Sequence, residues 1–454
     1  MKVAVVGGGI TGLACAFFLT QSQDHQVTLY EKTKQLGGKI RESKVGELSI
    51  EEGPDVFVTR SSEIFEIISA LGIRDRLTHP SANRALIYRK KALHPLPLGL
   101  TLGFPTSKEH IFGNEVLTQA ERLKTYVKWL YYNARRPRII GDDLGQIFER
   151  SVGRSYTNSI LDPLLGGINA ATVYGASAEI TAPQVLDLLR GIPSTIPVDK
   201  SENPLPPFAS FKQGLSFLVK SLSDHLQSNG VEILRDTQVS GLRITTTGVD
   251  IIANGDVESF DKVILATPSS HAGSLLKDVS PICSTLVNAI RRTSVTMSTV
   301  LVSADLSHID SQVSGVLIPR SEPYFTTAIT LGPNKWPSWQ SLEAKVLRIS
   351  SGRLEDRAHL SLEPKMLVHL LVAEAMEILG TDIKVEEYRV TRWDESFARF
   401  SPYHRQIISK AQRALSQDTS SKVGLAGSYL LGSGIPTCVK SAKIAVTNIS
   451  APTI

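Results

Sequence analysis

The chain has 454 residues, with 49 Lys and Arg against 44 Asp and Glu, and three cysteines. A length beyond the ~250 to 300 residues at which one core stops growing predicts at least two domains, and 42% hydrophobic with 20% charged residues excludes a disordered chain. A net charge of +5 with no long basic block argues for no nucleic acid partner, and Cys15, Cys283 and Cys438, far apart and odd in number, supply neither a disulfide framework nor a paired metal site.

In chain order, Lys2 to Val6 is a Val-rich apolar run, Leu13 to Thr20 carries the small residues of a close-packed helix, and Gln26 to Tyr30 reads as a second strand. Parallel strands need such a crossover, so the chain opens as an α/β unit. Its run from Met1 straight into a strand carries the expectation of no targeting leader and a cytoplasmic protein. Ile64, Phe65, Ile67, Ile68 and Leu71 share one helical face between Ser61 and Gly72. Helical spacing returns over Leu117 to Tyr132 and Asp143 to Ser151, and Lys200 to Pro207 has the composition of a linker.

Beyond the linker, Val231 to Leu234, Val239 to Ile244, Val249 to Ile252 and Lys262 to Ala266 are β-like runs that predict a return to the first sheet. Met297 to Val302, Gly315 to Ile318, Phe325 to Thr330 and Val346 to Ser350 predict an antiparallel sheet suited to walling a pocket. No run reaches the ~18 apolar residues of a membrane-spanning helix. Ala92 to Pro105, apolar but broken by prolines and glycines, reads as a pocket wall or buried loop ahead of a lipid contact.

Gly7, Gly9 and Gly12 have the G-x-G-x-x-G spacing between the first strand and the first helix, where backbone N–H groups and the helix dipole favour a pyrophosphate. Glu31, beside Lys32 at the end of the second strand, is placed to accept hydrogen bonds from ribose hydroxyls and to repel a 2′-phosphate. A second glycine pair follows, Gly37-Gly38-Lys39, and then Gly53-Pro54-Asp55.

These motifs resemble the FAD-binding amine oxidase and desaturase superfamily, in which the Gly-Gly-Lys turn lies against the dinucleotide and the Gly-Pro motif approaches the flavin. Within it, Asn83-Arg84, Ala92-Leu93-His94-Pro95-Leu96-Pro97, Asp162 to Ala170, Phe208 to Leu215, Lys335-Trp336-Pro337 and the closing Gly434-Ile435-Pro436-Thr437-Cys438 are similar to the protoporphyrinogen and coproporphyrinogen oxidases. Ala171-Thr172 and Ser441-Ala442 depart from that pattern.

The resemblance implies an amine-oxidase-type α/β fold. A Rossmann-like FAD-binding domain would be built from 1–75, 208–270 and 385–454, a helical insert at 76–207 would include part of the substrate domain, and a substrate-binding antiparallel sheet would span 271–384. It implies FAD held by Gly7, Gly9, Gly12, Glu31, Lys32, Gly38, Lys39, Gly53, Pro54, Asp55, Val239, Gly434, Ile435 and Pro436, and no metal. It further implies six-electron oxidation of a porphyrinogen in haem biosynthesis, with dioxygen as acceptor and hydrogen peroxide as by-product, and with no side-chain acid or base required. Arg84 is the candidate anchor for a propionate, against a plain surface arginine. Gly167 would bring a main-chain carbonyl near the macrocycle, against a helix-terminating glycine, and Cys438 reads as a small core residue ahead of a covalent flavin link. The choice between coproporphyrinogen III and protoporphyrinogen IX, a homodimer, and peripheral attachment at the inner face of a membrane stay open. Another amine or carotenoid flavoenzyme and a non-catalytic Rab escort-like carrier are the rival readings.

Overall fold

The computed structural model describes residues 1–21, 25–135, 137–192, 205–341, 344–354 and 356–451, so residues 200–204 of the expected linker Lys200 to Pro207 lie outside the described residues. Strand β1 (Lys2–Val6), helix α1 (Ile10–Thr20) and strand β2 (Gln26–Tyr30) form the predicted opening unit. They sit in a five-stranded sheet ordered Glu232–Leu234, β2, β1, Lys262–Leu265, Val423–Leu425, with every pairing parallel. A parallel sheet is buried on both faces, and the alternation shows it. Val3, Val5, Val27 and Leu29 pack under α1, Ser62–Ala70, Ser216–Ser228 and Ile435–Ser450, whereas Ala4, Val6 and Tyr30 face the opposite core.

One expectation is corrected here. Only Glu232–Leu234 and Lys262–Leu265 return to the first sheet; Val239–Ile244, Val249–Ala253 and Asp256–Phe260 pair antiparallel in a sheet of their own. Turns at Thr245 to Gly248 and at Asn254-Gly255 join these three strands tightly, and such short connections make antiparallel neighbours rather than parallel ones. The small sheet covers the second face of the parallel sheet, through Val249, Ile251 and Phe260.

A seven-stranded sheet runs in the order Ile383–Ala398, Arg292–Ala304, Lys345–Ser351, Thr326–Leu331, Val313–Leu317, Arg84–Arg89, Ala92–Pro95. It is antiparallel except where Val313–Leu317 and Arg84–Arg89 pair in parallel. The 16-residue strand Ile383–Ala398 belongs to this sheet, so the segment 385–454 begins in the substrate sheet and crosses to the nucleotide domain only afterwards. Val300, Leu347, Ile349, Ile329 and Val316 pack one face onto helix Pro364–Leu379. The insert is helical as expected: Gln119–Arg135, Leu144–Ser151, Asp162–Asn169 and Pro183–Arg190 enclose a core of Phe104, Phe148, Tyr156 and Ile160. Asp143 caps the second of these by accepting from the Gln146 N–H at 3.0 Å.

Candidate functional site

The glycine turn after β1 has no room for side chains on its inner side. Gly7 has φ +112°, and a Cβ there would meet the Ala266 carbonyl oxygen at 2.8 Å; a Cβ on Gly12 would stand 1.8 Å from the Gly7 carbonyl oxygen. Gly9 differs, because a Cβ on it would meet nothing within 4 Å. It is the N-cap of α1, so its open side faces the unpaired N–H groups of the first turn, the geometry that receives a phosphate. Across the turn, Glu31 Oε2 accepts from the Gly8 N–H at 2.8 Å, and Oε1 accepts from the Thr33 N–H and hydroxyl at 2.9 and 2.8 Å. Three of roughly four acceptor sites are used, which leaves the carboxylate one for a ribose hydroxyl.

The second glycine pair lies directly against the first. The Gly37 N–H donates to the Gly8 carbonyl at 2.8 Å, and Gly38, at φ +62°, presents its Cβ position 3.4 Å from Gly9 Cα. Lys39 follows, with its ammonium bonded to the Ser396 carbonyl and 5.2 Å from the Phe397 ring centre. Burial pushes the Lys39 pKa down from the ordinary lysine range. A second helix start converges here: Gly434 is the N-cap of Ile435–Ser450, and the Thr11 hydroxyl at the head of α1 bonds the Cys438 thiol. Gly9, Gly38 and Gly434 are all at least partly exposed, while Gly8, Ile435 and Pro436 behind them are buried. A strip of open backbone at two helix N-termini fits an extended dinucleotide.

The other predicted residues divide. The Thr237 N–H donates to the Glu31 carbonyl at 2.9 Å, which brings Val239 and the His271 ring bonded to its backbone beside the ribose end; exposed Lys32 lies close enough to act on that imidazole, whose pKa burial and then Lys32 lower. Gly53 is packed on the Lys39 carbonyl, 2.3 Å from its would-be Cβ, with Pro54 next to it. The Asp55 carboxylate is committed elsewhere, to the Lys335 ammonium at 2.7 Å, the Trp336 indole N–H at 2.9 Å and the Arg348 guanidinium at 3.9 Å. Arg84 stands at the mouth of its strand, half exposed and 3.6 Å from Asp310. Strand alternation gives it the face of Leu86 and Tyr88, not that of Ile87. Gly167 lies in the last turn of Asp162–Asn169, its Cβ position 3.8 Å from Leu317, which pairs with Ile87. Arg84 and Gly167 therefore lie about 10 Å apart along the strands and address different faces of the sheet.

The face that Gly167 overlooks belongs to the antiparallel sheet expected to wall a pocket, though the sequence reading did not assign which of its residues line that face. Register carries one row across the sheet from Met297 through Ser350 and Ala328 to Leu317, and a second from Thr299 through Arg348 and Thr330 to Gly315. On the opposite side Val300, Leu347, Ile329 and Val316 are buried, yet Met297, Ser350, Ala328, Leu317, Thr330 and Gly315 are only partly buried in the middle of a wide sheet. Arg348 and Arg389 turn this same face toward the nucleotide domain, where they bond the Gly53 and Glu51 carbonyls. A floor of small and flexible side chains thus opens between the sheet, the cradle and the Gly167 helix. Its signal in the sequence is the alternation of small residues with branched apolar ones.

A family model described as flavin containing amine oxidoreductase matches residues 10–450, nearly the whole chain. The chain belongs to that family. Its cofactor is FAD, and this flavoprotein is an oxidoreductase. Similar proteins include the coproporphyrinogen III oxidase of Bacillus subtilis (strain 168), 26% identical over 98% of this chain and 97% of its own, and that of Mycobacterium tuberculosis (strain ATCC 25618 / H37Rv), 28% identical over 98% and 96%. The human protoporphyrinogen oxidase is 24% identical over 98% of both chains. Among solved structures, one from Exiguobacterium sp. 255-15 has a TM-score of 0.86 at 25% identity, covering 99% of this chain and 98% of that one. Reduced UDP-galactopyranose mutase, with a TM-score of 0.74 and 13% identity, shares the fold. In the flavoprotein, the exposed strip at Gly9, Gly38 and Gly434 is the part of the chain suited to hold FAD, and no group of His, Cys, Asp or Glu among the described residues is arranged for a metal.

Proposed function

We propose that the flavoprotein oxidises a porphyrinogen to the porphyrin in haem biosynthesis, with coproporphyrinogen III as the first substrate to test. The observation that carries this reading is the end-to-end likeness to bacterial coproporphyrinogen III oxidases, joined to a sheet face whose central side chains are only partly buried. Bound FAD supplies a hydride acceptor for a methylene bridge and a route for the electron pair to dioxygen, which leaves as hydrogen peroxide. The floor of Met297, Ala328 and Leu317 supports the tetrapyrrole by apolar contact and excludes water from it. Gly167, in the last turn of its helix, offers a carbonyl to a pyrrole N–H; that nitrogen loses its proton as the neighbouring carbon loses hydride. Arg84, half exposed beside Asp310, lies on the opposite face of the sheet from this floor, so this pose places no propionate on it.

The test is anaerobic loading of each porphyrinogen followed by oxygen, with porphyrin fluorescence and peroxide both recorded. Coproporphyrinogen III should yield porphyrin with three equivalents of peroxide; silence with both porphyrinogens rejects the reading. In the same assay Arg84→Ala should leave KM within about twofold and flavin content unchanged. A rise in KM on the order of tenfold would instead place a propionate at Arg84.

A second reading concerns attachment. No described helix is long and apolar enough to cross a membrane; Leu98 stands exposed within Ala92 to Pro105, and a larger group of exposed apolar side chains lies on helix Gln119–Arg135. There Leu123, Val127, Leu130 and Tyr131 form one exposed stripe flanked by Lys124, Lys128 and Arg135. An apolar stripe with a basic border suits peripheral contact with an anionic bilayer. Vesicles of phosphatidylglycerol should cosediment the protein, and Leu123→Glu with Val127→Glu should abolish this without changing turnover in detergent; equal cosedimentation of wild type and variant excludes this helix.

A further inference from the structure

The hairpin that precedes Gly53 presents four successive carbonyls to the seven-stranded sheet, and each accepts from one of its side chains. Arg389 donates to Ile50 and to Glu51, both at 3.1 Å, the Trp393 indole to Glu52 at 3.1 Å, and Arg348 to Gly53 at 2.6 Å. Arg348 is 4% exposed, its guanidinium lies 5.6 Å from the Trp339 ring centre, and its Nε is buried without a hydrogen-bond partner. A buried guanidinium that leaves one donor unsatisfied is a poor way to gain stability. It is a good way to fix a distance, because the planar fork reaches the Gly53 carbonyl and the Asp55 side at once. On its far side Gly53 is packed against the Lys39 carbonyl, and the preceding residue, Gly38, touches Gly9. Sheet, Arg348, Gly53, Lys39, Gly38 and Gly9 thus form one unbroken line of contacts from substrate floor to nucleotide cradle.

We propose that Arg348 is a positioning residue that sets the height and tilt of the cradle over the floor, and through it the placement of the flavin ring. Arg348 touches neither substrate nor reacting atoms in this account; it acts through the Gly53 carbonyl. Lys335, which pairs with Asp55 but donates to no carbonyl of this strip, serves the stability of the joint and not its register.

The experiment uses the FAD-loaded full chain and compares Arg348→Lys, Arg348→Met and Lys335→Met by the visible circular dichroism of the bound flavin, by melting, and by kcat and KM with coproporphyrinogen III. Both Arg348 variants should bind FAD at full stoichiometry, change the sign or band shape of the flavin dichroism, and lower kcat on the order of tenfold with KM within about twofold. Lys335→Met should lower the melting temperature and leave the flavin dichroism as in wild type. Wild-type dichroism in a folded, FAD-loaded Arg348 variant overturns the proposal, and so does the same spectral change in Lys335→Met. If neither Arg348 variant folds, Trp393→Phe, which removes the donor to Glu52 and narrows the ring beneath the Arg41 guanidinium, takes their place with the same expected change, and an unaltered flavin band there overturns it. The rate measurement rests on the porphyrinogen reading; the dichroism does not, so failure of that reading silences the first and leaves the second decisive.

Discussion

Gly12→Ala should yield no folded, yellow protein, whereas Gly9→Ala should fold normally and bind FAD weakly. Any Cβ on Gly12 falls 1.8 Å from the Gly7 carbonyl oxygen and 3.0 Å from its carbon, and the atoms in the way are backbone within the sheet-to-helix turn. Relief would require α1 to move off β1, breaking the packing of Leu13, Ala14 and Phe17 against the helices on that face. A cost of about 4 kcal/mol or more is expected, a large share of the stability of any domain. Gly9 has φ −71° and ψ 174°, which alanine adopts freely, and nothing within 4 Å of its Cβ position. Its methyl group would occupy only the space left for the pyrophosphate. Melting of the apoproteins and flavin absorbance of the purified variants check both arms; a stable, fully yellow Gly12→Ala would show that the turn does not need the close approach.

Asp55→Ala should destabilise the flavoprotein by about 3 to 5 kcal/mol, because it strands two buried cations. Burial alone would raise the Asp55 pKa, but the charges of Lys335 and Arg348 and the hydrogen bonds from Lys335 and Trp336 outweigh it and hold the group at about 2. The folded pKa lies below the unfolded one, so the ionised carboxylate stabilises the native state at every pH above the ordinary aspartate range. That contribution, roughly 2 kcal/mol, is lost as pH falls from about 4 toward about 2. Urea unfolding followed between pH 6 and pH 2.5 should show this acid-side loss in the wild type and its absence in Asp55→Asn. An identical acid limb in both proteins would assign the loss to other carboxylates.

The opening strand, helix and strand were legible because their signals are local. Gly7, Gly9 and Gly12 lie within six residues, the flanking strands and helix announce themselves by pattern, and Glu31 follows at a set spacing. The short helix expected over Asp143 to Ser151 was legible for the same reason and runs Leu144–Ser151. Asp55 was not, since the partners that fix its carboxylate, Lys335 and Trp336, are some 280 positions away, and no local pattern encodes which distant cation will arrive. Nor were the strands between Val239 and Phe260: their composition says strand, but whether a strand joins an old sheet or starts a new one depends on turn geometry and burial. Arg84 could be picked as a carboxylate ligand by type, yet its face is decided by register, which places Leu86 and Tyr88 with it and Ile87 against it.

The order in which the parallel sheet takes up its strands has a consequence for biosynthesis. β1 and β2 are made well before their outer neighbours, residues 232–234, 262–265 and 423–425, and the helix led by Gly434 is made later still. A nascent chain therefore carries an unfinished sheet with unpaired edges through most of its elongation, the condition under which chains misassemble or recruit holding factors. The strip proposed for FAD is incomplete until the helix led by Gly434 docks beside α1. Supply of riboflavin during expression should consequently govern yield at the last step of folding, after the insert and the substrate sheet have already consolidated around their own cores.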